Sequence, residues 1–220
     1  MNIVKSLFDH RRSNSLAARL RRKRFALFRQ LAGGLDHPIR ILDVGGTAGF
    51  WEKTGFLDDE PNVSITLYNL YENPADQPQL EAVAGDARDM SRYLDGHFDI
   101  VFSNSMIEHL GEFDDQRLCA NEMTRVGKRY FVQTPNRYFP IEPYFLYPYF
   151  QLYPDKLKTF LLWKANIGWY PAASWEEAWQ TATSVRLMTR EELARLFPQG
   201  RIVDEKYLGL VKSFTAIGGW

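Results

Sequence analysis

Five short apolar runs, each closing on a polar or glycine residue, constrain this chain more than any other feature. Residues 38–44 run into Gly45-Gly46-Thr47-Ala48-Gly49, and 62–68 end at Asn69. Residues 80–84 end at Gly85-Asp86-Ala87, 98–103 at Asn104-Ser105, and 129–133 at Thr134-Pro135-Asn136. Short runs rich in Val, Ile, Leu and Phe are what strands buried on both faces look like, and helical stretches fit between several of them. The rhythm predicts an α/β chain with a doubly wound, mostly parallel sheet. Such sheets bind ligands beyond the carboxyl ends of their strands, where these polar residues fall. The first turn needs glycine because a ligand must come within contact distance of the main chain. Residues 201–208 and 211–217, joined at Gly209, predict a closing antiparallel pair, which makes seven strands in all.

Composition narrows the class. The 220 residues are 45% apolar and 25% charged, which fits a folded globular chain. Lys+Arg and Asp+Glu stand at 27 each, so no overall field draws the chain to nucleic acid. The single cysteine, Cys119, excludes an internal disulfide framework. With no cysteine or histidine cluster, no metal site is expected. No apolar run reaches the roughly 18 residues that cross a bilayer, and the start lacks a secretory apolar core, so the expectation is cytoplasmic.

The balance hides an asymmetry, because residues 1–40 carry ten Lys/Arg against two Asp/Glu. Apolar positions 16, 20, 27, 28 and 31 recur at helical spacing among Arg19, Arg21, Arg22, Lys23, Arg24 and Arg29. Residues 14–32 therefore read as a basic amphipathic helix, capped by Ser13 or Asn14 and stopped by Gly33-Gly34. Three readings stand. The helix packs on the main domain with a solvated basic face, it touches an anionic membrane surface at its inner face through residues 1–32, or it closes over an anionic substrate.

Four segments in order resemble the class I S-adenosylmethionine-dependent methyltransferases: 41–49, Gly85-Asp86-Ala87, 98–110 with Glu108-His109 after the fourth strand, and Thr134-Pro135-Asn136. The resemblance covers residues 38–137 and 188–220 and implies the Rossmann-like methyltransferase fold, with S-adenosylmethionine as cofactor and S-adenosylhomocysteine as product. By that similarity Asp43, Gly45, Gly46, Thr47 and Gly49 surround the methionine end. Asn69 and Leu70 stand at the ribose, Asp86 and Ala87 at the adenine, and Asn104 and Ser105 along the sulfonium side. Two positions depart from the pattern: Thr47 replaces the middle glycine, and Asn69 replaces the usual acid, with Glu72 three residues on as the alternative ribose ligand. An amide lacks the charge assistance of a carboxylate in that bond. The same Asn69 fits poorly with a nicotinamide dehydrogenase, which wants an acid there.

A sulfonium methyl is already activated, so the protein must align donor and acceptor and exclude water. A hydroxyl or ammonium acceptor must also lose a proton, and His109 is the candidate base, since an ordinary histidine titrates near neutral pH. Glu108 is a second candidate, as catalyst or as a structural pair. Between the fifth strand and a helix near Thr189 lies an aromatic-rich insertion, with fourteen aromatics from 138 to 179. Five prolines break it, and 157–169 and 174–183 read as short helices, the latter with Ser174 and Glu177 as a capping box. In this family an insertion here commonly forms a lid over the acceptor. Most of its aromatics are read as the insertion's own core, while Tyr138, Glu142 and Tyr144 are expected to face the acceptor. The stretch 134–144 also resembles small bacterial methyltransferases of surface-glycan and lipid pathways.

The organisation expected is thus a basic extension (1–37), a cofactor-binding core (38–137), an aromatic lid (138–187) and a closing helix and strand pair (188–220). The function expected is methyl transfer to a hydroxyl or amine of a small-molecule, saccharide or lipid-linked acceptor. The alternative is a non-catalytic cofactor-binding or membrane-associated regulatory protein on the same fold.

Overall fold

A computed structural model of the chain describes residues 16–72, 74–141, 145, 147–165 and 172–220. Seven strands form one sheet in the order β3-β2-β1-β4-β5-β7-β6. They are β1 (Ile39–Val44), β2 (Val63–Asn69), β3 (Leu80–Ala84), β4 (Ile100–Asn104), β5 (Tyr130–Pro135), β6 (Arg201–Tyr207) and β7 (Leu210–Gly218). The first five pair in parallel, with Ile41 beside Ile65 and Asp43 beside Phe102. β7 runs antiparallel to both β5 and β6, setting Thr134 opposite Phe214. The β6–β7 turn is tight because Leu208 and Gly209 both take positive φ, 48° and 81°, the geometry that matches strand twist in a two-residue hairpin.

The helices are α1 (Leu16–Ala32), α2 (Ala48–Thr54), α3 (Phe56–Asp59), α4 (Phe113–Val126), α5 (Asp155–Ala165), α6 (Trp175–Thr183) and α7 (Arg190–Leu196). Alternate strand residues feed two cores. Leu42, Val44, Val101, Val132 and Ala216 meet Cys119, Ala120 and Met123 of α4 and Leu193 and Leu196 of α7 on one face. Ile41, Ile65, Ile100, Phe102 and Phe131 meet α1, α2 and α3 on the other. The described residues of 70–79 and 85–99 contain no helix, so two of the crossovers are plain loops.

α1 is part of this second core. Phe25, Phe28 and Ala32 are buried in it, and the Phe28 ring lies 4.8 Å from Phe102 and 5.5 Å from Phe131. The buried stripe is therefore 20, 25, 28 and 32, one step round from the spacing that names 27 and 31, which are only partly buried. The aromatic rings prefer the inside, and Phe25 carries more apolar area than Leu27. The expected capping residues Ser13 and Asn14 lie outside the described residues.

The insertion forms its own small core of Phe145, Phe150, Leu162, Ala178 and Ala182, with Tyr147, Tyr153 and Trp163 packed around it. Ser174 caps α6 by accepting from the Glu177 N–H, but the Glu177 carboxylate reaches the Ala173 N–H instead of closing the box on Ser174. The reciprocal box stands at Thr189 and Glu192, ahead of α7. Among the described residues no helix is long and apolar enough to cross a membrane.

Candidate cofactor and acceptor site

The carboxyl end of β1 builds the first half of the site. Asp43 is buried, and its Oδ2 accepts a hydrogen bond from Trp51 Nε1 at 2.7 Å. Its Oδ1 is buried too, with no hydrogen-bond partner. Burial pushes the Asp43 carboxyl up to about 7, against the lowering effect of the Trp51 bond. Above Asp43 the chain turns through Gly45, whose φ is 82°. A Cβ on Gly45 would overlap the Met106 side chain, and one on Gly46 would overlap the Asp43 carboxylate. A Cβ on Gly49 would meet only Glu52 Oε2, 4.0 Å away, so that glycine is not sterically required. The turn is thus a cradle of backbone over an acid with one idle oxygen. An orphaned buried acceptor of this kind asks for a donor from outside the protein.

Asn69, at the end of β2, donates from its Nδ2 to the Gly46 carbonyl at 2.9 Å and so ties β2 to the glycine turn. Beyond it Leu70 and Tyr71 are 66% and 80% exposed, apolar surface fit to lie against a flat base, while Glu72 is exposed. Asp86 forms a fork with Arg88, 2.6 Å at the closest, and Arg88 reaches on to Asp115 at 2.9 Å. The Arg88 hydrogen bonds hold the Asp86 carboxyl below its ordinary range. Ala87 is buried beside it.

At the end of β4, Asn104 Oδ1 accepts from Arg24 Nη1 at 2.9 Å. Ser105 has φ of 57°, unusual for a residue with a Cβ. It is held there by Gln133, which takes its N–H at 3.0 Å and its hydroxyl at 2.9 Å. The 3-10 turn Ile107–His109 follows and splits the two candidate acid–base residues. Glu108 is fully buried, accepting from the Thr134 hydroxyl at 3.0 Å. That placement gives it a structural pair rather than access to solvent. His109 is an exposed residue by its surface area, while partial desolvation acts on its imidazole. That desolvation lowers its pKa, and a hydrogen bond to the Ser184 backbone partly offsets the shift. The lowering favours the neutral imidazole, the form a base must have.

Tyr138 is exposed, its N–H bonded to Asn136 Oδ1 at 3.0 Å. Glu142 and Tyr144 lie outside the described residues. Among the described residues no group of His, Cys, Asp and Glu could hold a metal ion.

Residues 58–130 match a family model described as a methyltransferase domain. No curated protein matches the sequence. Among solved structures, the chain is similar to a Burkholderia thailandensis 1,6-didemethyltoxoflavin-N1-methyltransferase with bound 1,6-didemethyltoxoflavin and S-adenosylhomocysteine. That match has 17% identity and a TM-score of 0.54, covering 98% of this chain and 84% of that one. It is similar to an Aquifex aeolicus SAM-dependent methyltransferase at 15% identity and TM-score 0.52, over 88% and 87% of the two chains. A chain from the complex between the Haloferax volcanii Trm112 methyltransferase activator and a methyltransferase matches at 13% and 0.54, over 98% and 96%. At these identities the structures establish the fold, the seven-stranded Rossmann-like methyltransferase architecture. Within that architecture residues 58–130 carry the matched methyltransferase domain, which supports methyl transfer as the activity. The orphaned Asp43 oxygen under the glycine turn would suit the polar methionine end of S-adenosylmethionine.

Asp43 gives this fit a pH signature. Its folded pKa of about 7 lies above the ordinary value near 3.9, so the folded state binds a proton the unfolded chain has lost. Stability is expected to fall as pH rises from about 4 to about 7. Asp43→Asn should flatten that slope, as read from denaturant midpoints at pH 5 and pH 7.5. S-adenosylhomocysteine, recognised by the carboxylate, should bind more weakly below pH 7 in the parent and show little pH dependence in the variant.

Proposed function

We propose that this chain methylates a hydroxyl or amine on a small-molecule, saccharide or lipid-linked acceptor that enters beside the insertion. The observation that carries the reading is the buried Asp43 carboxylate, with one unpartnered oxygen beneath a turn where Gly45 and Gly46 leave no room for a Cβ. When bound, S-adenosylmethionine supplies an electrophilic methyl on a sulfonium. Asp43, Gly45, Gly46, Thr47 and Gly49 take its methionine end. Asn69 and Leu70 border the ribose, Asp86 and Ala87 the adenine, and Asn104 and Ser105 face the reacting side. Asn69 rather than Glu72 is assigned to the ribose, because its amide is already fixed at the glycine turn.

His109 accepts the acceptor's proton, its ring oriented by the Ser184 backbone, while Glu108 positions that turn from below. Tyr138 stands at the entrance. The exposed Leu157, Phe160, Trp175 and Trp179 of α5 and α6 support an apolar or ring-bearing acceptor, and a peripheral contact with a membrane carrying it.

Calorimetric titration with S-adenosylmethionine and S-adenosylhomocysteine tests the cofactor assignment. Micromolar binding of both, about −8 kcal/mol, is expected, and binding of neither would leave a non-catalytic protein on this fold. For the proton acceptor, His109→Ala should leave S-adenosylhomocysteine affinity unchanged and slow turnover of a hydroxyl or amine acceptor by roughly 10²-fold or more. Unchanged turnover would remove His109 from the chemistry.

A further inference from the structure

A second polar cluster lies at the same edge of the sheet, across β4, β5, β7 and β6 from the glycine turn. Arg24 of α1 is almost buried, its side chain 9% exposed, with its Nε 3.4 Å from Glu205 Oε2. That nitrogen makes no hydrogen bond. Lys212 is 13% exposed, with Nζ 3.9 Å from the other oxygen of the same Glu205, itself 11% exposed and already accepting from Ser213. Arg21, one turn before Arg24, is partly buried and lines the crevice between α1 and the ends of β4 and β5 together with Arg24 and Asn104. Among the described residues Arg21 has no ion-pair partner. Among the described residues the carboxylates facing the cluster are Glu205 and Glu108. Three cations thus share two carboxylates, one of them also committed to Thr134.

Excess positive charge held away from water is unfavourable unless something neutralises it. The backbone shows that Lys212 is aimed here. Glu205 pairs with Ser213 and Lys206 with Val211, so Lys212 is the extra residue of a β-bulge. A bulge redirects a side chain, and bulges gather near functional sites. Asn136 fixes this one, its N–H donating to the Lys212 carbonyl at 2.9 Å and its Nδ2 to the Val211 carbonyl at 2.7 Å. The cofactor reading leaves these cations unassigned, since its methionine end lies over β1. They stand instead on the acceptor's half of the mouth, joined to the reacting side through the Arg24–Asn104 hydrogen bond.

We propose that Arg21, Arg24 and Lys212 bind an anionic group, a carboxylate or a phosphate, carried by the methyl acceptor. The assignment rests on the methyltransferase reading above and adds the charge class of its substrate. Arg24 offers a planar fork suited to either group, and Lys212 a point charge. Burial, the neighbouring Arg24 and Arg21 push the Lys212 ammonium down to about 8, against the pull of Glu205, so an arriving anion should draw a proton onto it.

The test is calorimetric titration of inorganic phosphate, and separately of acetate, into the full chain with and without saturating S-adenosylhomocysteine. At least one anion should bind at pH 7, and which of them binds tells a phosphate acceptor from a carboxylate one. Binding should weaken about fivefold to tenfold at pH 9, where Lys212 is mostly neutral, although phosphate itself is then more negative. Lys212→Met and the partly exposed Arg21→Gln should each weaken it at least about fivefold, with S-adenosylhomocysteine affinity kept within about twofold. Should Lys212→Met fail to fold, Arg21→Gln and the pH dependence of the parent still decide. Absence of anion binding, or binding indifferent to both variants and to pH, would overturn the proposal. So would a parallel loss of S-adenosylhomocysteine affinity, which would hand the cluster to the cofactor's own carboxylate. Failure of the parent to bind S-adenosylhomocysteine would strike the methyltransferase reading, and the titration without it reads the cations separately.

Discussion

Gly46→Ala is expected to abolish measurable S-adenosylhomocysteine binding and to lower stability by about 2–4 kcal/mol. Backbone conformation is not the cause, because Gly46 does not have positive φ. The cause is the Asp43 carboxylate, which occupies the place a methyl group would take. Asp43 cannot retreat easily, since Trp51 Nε1 holds one oxygen and both residues are buried. The alanine must therefore displace either the carboxylate or the turn, and each is part of the cofactor cradle. Gly49→Ala serves as the control. Its Cβ would meet nothing closer than 4.0 Å, and it lies inside α2, where alanine is favoured over glycine by up to about 1 kcal/mol. Equal losses in the two variants would show that the turn tolerates no side chain anywhere, and would remove the special place of Asp43.

Phe28→Ala is expected to cost about 3–5 kcal/mol, read as a shift in the denaturant midpoint. The ring is completely buried, within 6.1 Å, centroid to centroid, of Phe25, Trp51, Phe56, Phe102 and Phe131. Little can collapse into the space it leaves, because its neighbours are rigid rings already packed on the sheet. For a domain whose total stability is about 5–15 kcal/mol, that is a large share. The effect would make the basic N-terminal helix a structural element. Exposed Lys23→Ala on the same helix should change stability by less than about 0.5 kcal/mol. A small loss in Phe28→Ala would mean that α1 detaches without unfolding the sheet, and would favour its working as a separate membrane-binding arm.

Much of this architecture is legible in the sequence, element by element. The five apolar runs and the Gly209 hairpin appear as strands within one or two residues, because continuous apolar runs are what a sheet covered on both faces demands. Gly45 and Gly46 are required at the turn after β1 because only a missing Cβ lets the backbone come that close to Met106 and Asp43. The insertion's aromatics divide: Phe145, Tyr147, Phe150, Tyr153 and Trp163 pack into its own core, while Tyr138, Tyr149, Phe160, Trp175 and Trp179 are exposed, more than the sequence reading expects. The side on which α1 buries itself was less legible. Helical spacing names Leu20 and Phe28 correctly but favours Leu27 and Leu31 beside them, where the packed core instead takes Phe25 and Ala32.

The candidate site divides along the same line. Asp43, the glycines, Asn69, Asp86 and Asn104 follow directly from strand ends, since a strand's last residue must lie at the edge of the sheet. Whether a charge there is buried, paired or left over depends on partners distant in sequence. Arg24 meets Asn104 across 80 positions and Glu205 across a still longer stretch, and Lys212 reaches the cluster only through a bulge pinned by Asn136. No local pattern marks that bulge. Glu108 and His109 are neighbours in the chain, yet a 3-10 turn sends one into the core under Thr134 and leaves the other at the surface beside Ser184.

By itself, the sequence determined which segments become strands and most of the helices, and where a turn can hold only glycine. Those properties come from hydrophobic periodicity and from glycine's missing side chain, which act within a few residues. Only the tertiary structure decided which cations lose their water and which carboxylates face them. Burial and Coulomb interaction depend on distance in space, and the fold alone sets that distance.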